Sequence, residues 1–127
     1  MKRIFLIAAF ACFAMTAHAA KFGDMNAAEL RKAVAGKTVY LSASGIVLPI
    51  AYGANGTMRG RLKASLASLA GGSPIDTGRW WIINNQLCQR WSHWLKGKSY
   101  CYKLTRQGQT LVWVRNDGRR GTARIGG

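Results

Sequence analysis

From Lys37 onward, β-prone runs are broken about every ten residues by Gly, Asn or Pro, and this rhythm constrains the fold more than any other feature. The runs are Thr38–Ser44, Ile46–Tyr52, Thr57–Leu62, Arg79–Ile83, Gln86–Trp94, Ser99–Arg106, Gln109–Arg115 and Arg119–Ile125. Asn55-Gly56 and Asp117-Gly118 are strong hairpin signals, because their residues tolerate the positive φ of a tight turn. Asn84-Asn85 and Gln107-Gly108 are weaker ones. Short strands joined in this way form an antiparallel meander. Residues 62–77 depart from the rhythm. Leu62, Leu66 and Leu69 have helical spacing, but Gly71-Gly72-Ser73-Pro74 reads as loop, so a long excursion with one helical turn is expected.

A short helix is expected ahead of the meander. Asn26 followed three residues later by Glu29 is a capping-box pattern, Ala27 to Ala35 are mostly good helix formers, and Gly36 suits a stop. Leu30 and Val34 lie on one face, so this helix can close over an apolar surface.

Residues 1–19 read as a secretory signal peptide: Lys2 and Arg3, an apolar stretch from Ile4 to Met15, then Ala17 and Ala19 bracketing His18. The remainder, 20–127, is the size of one small β-rich domain. The apolar stretch is too short to span a bilayer, and no later window approaches the length needed. A periplasmic or secreted location is therefore expected. Cys12 lies in the leader, and the two remaining cysteines, Cys88 and Cys101, would meet an oxidising compartment. A disulfide between them is expected, worth about 3 kcal/mol through loop closure. Together with His93 they would make only an incomplete zinc site, so neither metal nor cofactor is expected.

Two-residue turns fix which side chains share a face, since residues directly opposite across a ladder point the same way. With the expected disulfide setting Cys88 opposite Cys101, Leu87 opposes Tyr102; the Asn84-Asn85 turn sets Trp80 against Gln89, and the later turns set Tyr102 against Trp113 and Arg115 against Arg120. One face collects Trp80, Ile82, Leu87, Trp91, Tyr100, Tyr102, Leu104, Leu111 and Trp113, with Trp80, Trp91 and Tyr102 as core. The other carries Trp81, Ile83, the cysteines, Arg90, Lys103, Val112, Val114, Ala123 and Ile125. The cysteine pairing puts the turn at Trp94-Leu95, whereas Gly97 favours one a residue or two later; a bulge near Ser92–Lys98 would reconcile them, and otherwise the faces of the first two strands exchange. Both faces are partly apolar, which suits a rolled sheet. The expected fold is mainly β: an antiparallel meander closing into a small barrel or strongly curved sheet, with one short N-terminal α-helix.

Charge carries the functional signal. Without the leader, which holds two of the 19 basic residues and no acid, 17 basic residues face 4 acidic ones. The excess concentrates from Arg79 onward, where the tryptophans also lie. In the expected register, Arg115, Arg120 and Arg124 share a face with Trp113, and like charges in opposition favour an anion between them. These four residues are the candidate anion-binding site. Acid–base chemistry has little to draw on: Asp24 and Glu29 sit at a helix start, Asp117 belongs to a turn, and only Asp76 and His93 remain. No serine lies in a nucleophile elbow, and no phosphate-binding loop is present.

The order Asp76-x-Gly78-x-Trp80, Leu87-Cys88-x-x-Trp91, Cys101, Gly108, preceded by Asn55-Gly56-Thr57-Met58-Arg59-Gly60, resembles a family of small secreted proteobacterial proteins of uncharacterised function. The resemblance covers nearly all of the chain after the leader. It implies an exported β-rich domain with a Cys88–Cys101 bridge and no particular activity. Taken together, a monomeric, non-catalytic binding protein for an anionic envelope polymer or lipid headgroup is expected. Nucleic acid is not expected as the partner of an exported protein. The second expectation is a protein-partner module, such as an inhibitor of an envelope hydrolase.

Overall fold

From Lys37 to Ile125, buried and more exposed residues alternate along the strands, as over Thr57–Arg61 and Thr110–Arg115. The computed structural model describes residues 23–108 and 110–126; the expected signal peptide lies outside the described residues. The elements are β1 (Gly23–Asp24), α1 (Ala27–Val34), β2 (Lys37–Ala43), β3 (Ile46–Tyr52), β4 (Thr57–Arg61), β5 (Ile75–Ile83), β6 (Gln86–Trp91), β7 (Ser99–Gln107), β8 (Thr110–Arg115) and β9 (Arg120–Ile125). Each strand from β2 to β9 pairs antiparallel with its sequence neighbour, and β9 pairs back onto β2. The meander is thus a closed eight-stranded barrel. Closure leaves none of the eight strands with an open edge. The two-residue β1 adds to the far end of β7, at Thr105 and Arg106.

The interior is filled. Val39, Ile50, Tyr52, Met58, Trp80, Leu87, Trp91, Tyr102, Leu104, Leu111 and Trp113 point inward and are buried, including the three expected core residues. The void at their centre is only about 10 Å³, less than a bound small molecule needs. Wide rings fit in so small a barrel because the wall is thin beside them. A Cβ on Gly60 would lie 2.5 Å from the Trp94 ring and 2.7 Å from the Trp91 ring, and one on Gly121 would lie 2.6 Å from Trp113. The polar interior groups are matched: the Tyr52 hydroxyl donates to Gln89 Oε1 at 2.8 Å, and the Trp80 indole N–H donates to the Gly53 carbonyl.

Helix α1 closes one end. Asn26 Oδ1 accepts the Glu29 N–H at 2.9 Å while Glu29 reaches back to the Asn26 N–H, completing the expected capping box. Leu30, Ala33 and Val34 are buried against the barrel mouth. Full burial of side chains such as Leu30 and Val34 contributes about 1.5–3 kcal/mol each. Asn85 fastens the cap from the β5–β6 turn, its Oδ1 accepting the Ala27 N–H at 2.9 Å. The helix therefore plugs the end of the barrel, the apolar surface that its Leu30–Val34 face closes over.

The opposite end is closed by two longer connections. Residues 62–74 carry a 3-10 segment, Ala64–Ala70, in place of a single helical turn, and β5 begins at Ile75, four residues earlier than expected. Residues 92–98 form a compact loop rather than a strand bulge, and its Trp94 is buried over Trp91 with ring centroids 4.7 Å apart. The disulfide joins Cys88 and Cys101, which stand directly opposite on β6 and β7.

Candidate functional site

Trp113, Arg115, Arg120 and Arg124 are not brought together. The loop after β8 has three residues, Asn116, Asp117 and Gly118, closed by the Arg115 N–H donating to the Arg119 carbonyl. Three-residue hairpin loops of this kind end on a residue with left-handed φ, here Gly118 at 91°. One extra loop residue shifts β9 by one, so Trp113 opposes Gly121 and Leu111 opposes Ala123. Arg120 and Arg124 consequently face outward, while Trp113 and Arg115 face inward. Ala123, expected outside, is buried.

Arg115 is already satisfied by its own chain. Its Nε donates to Asp117 Oδ1 at 2.8 Å and its Nη2 to Oδ2 at 2.5 Å, and its guanidinium lies 4.1 Å over the Tyr100 ring. The hydrogen bond to Asp117 raises the Arg115 pKa further and lowers that of Asp117 to about 2. Arg124 lies over Tyr40, the residue opposite it on β2, at 4.6 Å. Neither arginine joins a shared anion site.

Asp76 and His93 do meet. Asp76 is buried; its Oδ2 accepts the N–H groups of His93 and Trp94, both at 2.8 Å, and its Oδ1 accepts the Thr77 N–H at 2.9 Å. His93 Nδ1 stands 3.2 Å from Oδ1. Burial raises the carboxyl pKa, but these hydrogen bonds outweigh it and hold the group below its ordinary value. The carboxylate thus fastens the 92–98 loop to β5. The His93 side chain is 84% exposed, and among the described residues no serine, threonine or cysteine hydrogen-bonds to its ring.

A different group of cations forms the candidate site. Arg79 on β5 stands directly opposite Arg90 on β6, and Arg59 on β4 opposes Thr77, one outward position along from Arg79. All three side chains point outward and are exposed. Between Arg59 and Arg79 runs an open groove of about 590 Å³ to which Thr57, Thr77 and Ser92 also contribute. Trp81, the next outward residue on β5 after Arg79, is 38% exposed. The register that pairs Trp80 with Gln89 already sets Arg79 against Arg90, so the signal was present in the Asn84-Asn85 turn.

All four acids of the chain are engaged elsewhere. Asp24 pairs with Lys103, Glu29 closes the capping box, Asp76 binds backbone N–H groups, and Asp117 pairs with Arg115. No carboxylate side chain is left to neutralise Arg59, Arg79 or Arg90. A second groove, about 550 Å³, lies between α1 and the barrel beside Lys32, Lys37 and Arg106, but Glu29 lines it and opposes an anion. The β4–β6 groove is the better anion site: guanidinium forks and hydroxyls suit phosphate, sulfate or carboxylate oxygens.

No family model, curated protein or solved structure matches the chain.

Proposed function

We propose that this is an exported, non-catalytic binding protein that holds anionic groups of a cell-envelope component on the outer wall of its barrel. The observation that carries this reading is the opposition of Arg79 and Arg90 beside Arg59, with every acid of the chain committed elsewhere. Like charges facing each other across a ladder destabilise it unless a counter-charge joins them. Two further points support the reading. The interior is filled, which leaves the outer surface for a ligand. That surface carries Arg59, Arg79, Arg90, Lys103, Arg120 and Arg124, the reverse of the apolar band that a membrane-spanning barrel presents. Binding to lipopolysaccharide, followed as salt is raised, tests it. Affinity should fall with salt, and an Arg59→Gln/Arg79→Gln/Arg90→Gln variant should bind at least tenfold more weakly with a shallower salt slope. Unchanged binding by that variant overturns the reading.

Trp81 and Ile83 favour a second reading, a protein partner. They occupy successive outward positions on β5 and are 38% and 52% exposed. Aromatic residues beside arginines are typical anchors of protein interfaces. This reading requires a complex with a defined envelope protein that survives high salt and is lost in Trp81→Ala.

A further inference from the structure

The barrel end opposite α1 combines features that neither the groove nor the core explains. Six large apolar side chains are exposed among the described residues, and four of them belong to this end: Val47 at 53%, Leu69 at 69%, Ile75 at 36% and Leu95 at 40%. Val47 and Ile75 are outward residues at the strand starts, and Leu69 and Leu95 lie in the two long connections. Isolated exposed leucines are ordinary, but a cluster ringed by polar residues marks an interaction surface.

The two connections are bound into one unit. Asp76 accepts the His93 and Trp94 N–H groups, the Trp94 indole N–H donates to the Ser73 carbonyl at 3.0 Å, and the Leu62 N–H donates to the Pro74 carbonyl at 2.7 Å. Within this frame Leu95 and Lys96 hold left-handed φ values of 54° and 57°. That region is unfavourable for bulky residues and persists only where the surroundings enforce it. The strained turn leaves Leu95 partly exposed rather than folded into the core. Cations surround the apolar tips: Arg61, opposite Ile75, with Lys63, Lys96, Lys98, Arg119 and Arg120 at the same end. The acids there are Asp76, turned inward, and Asp117, paired with Arg115. Nothing at this end repels a negative surface.

We propose that this end docks onto an anionic lipid bilayer, with Leu69 and Leu95 entering the headgroup–acyl boundary and the ring of lysines and arginines contacting lipid phosphates. The inference rests on the envelope reading above but uses residues outside the β4–β6 groove. The occupant follows from charge complementarity: apolar tips in a wholly cationic surround match a negatively charged, apolar-backed layer.

Cosedimentation of the disulfide-bonded protein with phosphatidylglycerol-containing vesicles, with phosphatidylcholine vesicles and with soluble polyphosphate as a competitor tests this. The wild type should bind the anionic vesicles and not the zwitterionic ones. A Leu69→Ser/Leu95→Asn variant should partition at least tenfold more weakly into anionic vesicles while binding polyphosphate as before; Asn at 95 tolerates the left-handed φ, so the loop is kept. Equal partitioning of variant and wild type overturns the proposal. Loss of polyphosphate binding on the Arg59, Arg79 and Arg90 changes, with leucine-dependent vesicle binding kept, upholds both readings; polyphosphate binding untouched by those changes overturns the groove alone. Self-association that the leucine changes abolish, without vesicle binding, assigns the tip to a second copy of the chain and overturns the lipid surface.

Discussion

Arg79 and Arg90 stand directly opposite each other on β5 and β6 with both side chains outward, and no carboxylate side chain pairs with either. Like charges in this position cost the protein stability, and an anion held between them would return it. Arg79→Thr is expected to raise unfolding free energy by about 0.2–1 kcal/mol, because it removes a like-charge pair and puts a β-branched residue in a strand. Urea unfolding at low ionic strength measures it, and a loss of stability would contradict the arrangement.

Asp76 ties the 92–98 loop to the barrel, so its removal should loosen that end. Asp76→Asn is expected to cost about 2 kcal/mol or more, since an amide cannot serve all the donors that converge on the carboxylate. The emission of Trp94, buried by the same loop, should shift to the red in the variant. A variant as stable as the wild type, with unshifted emission, would contradict the role.

Acid should weaken the same structure. Asp76 and Asp117 both titrate below their unfolded value, Asp117 at about 2 in the folded protein. A carboxylate with a lowered folded pKa contributes stability that is fully present above its unfolded pKa of about 4 and is lost as pH falls through the folded value. Thermal midpoints should therefore decline from about pH 4 toward pH 2 in the wild type, more gently in Asp76→Asn.

Gly78 carries a packing prediction. A Cβ there would lie 2.3 Å from the Arg90 carbonyl oxygen and 2.8 Å from Met58, and neighbouring backbone cannot yield as a flexible side chain would. Gly78→Ala should destabilise by about 1–3 kcal/mol, read by urea unfolding. The same change on the solvent-facing Gly118 meets no atoms but opposes its left-handed φ of 91°, so its cost is about 1 kcal/mol and purely conformational.

How much of this was legible follows from the turns. The Asn84-Asn85 turn has two residues and left-handed φ at both, so the β5–β6 register was readable from it, while the β6–β7 register and the place of Tyr102 followed from the expected Cys88–Cys101 disulfide. The next turn was placed one residue early. It lies between Gln107 and Thr110, so Tyr102 meets Arg115 where Trp113 was expected. A shift of two residues leaves every face unchanged. The loop after Arg115 is longer by one residue, and an odd shift turns every β9 side chain over. A single residue thus separated Arg120 and Arg124 from Trp113 and dissolved the expected site. Asp117-Gly118 is compatible with either loop length, and the Arg115–Asp117 ion pair that accompanies the longer one is a tertiary choice. Residues 62–74 resisted reading because their leucine spacing fits a helix, while their structure is set by the Trp94–Ser73 and Leu62–Pro74 bonds to distant segments.

The central claim is that the β4–β6 wall holds an anionic ligand. Polyphosphate binding followed by titration calorimetry at two salt concentrations, for the wild type and for Arg59→Gln/Arg79→Gln/Arg90→Gln, tests it most directly, with Lys32→Gln/Lys37→Gln/Arg106→Gln, beside the groove that Glu29 lines, as a control of equal charge change. The expected result is a loss of at least tenfold confined to the β4–β6 variant, with a smaller salt dependence. Equal losses in both variants would mean that only the net charge of the protein attracts the polyanion, and would contradict the site.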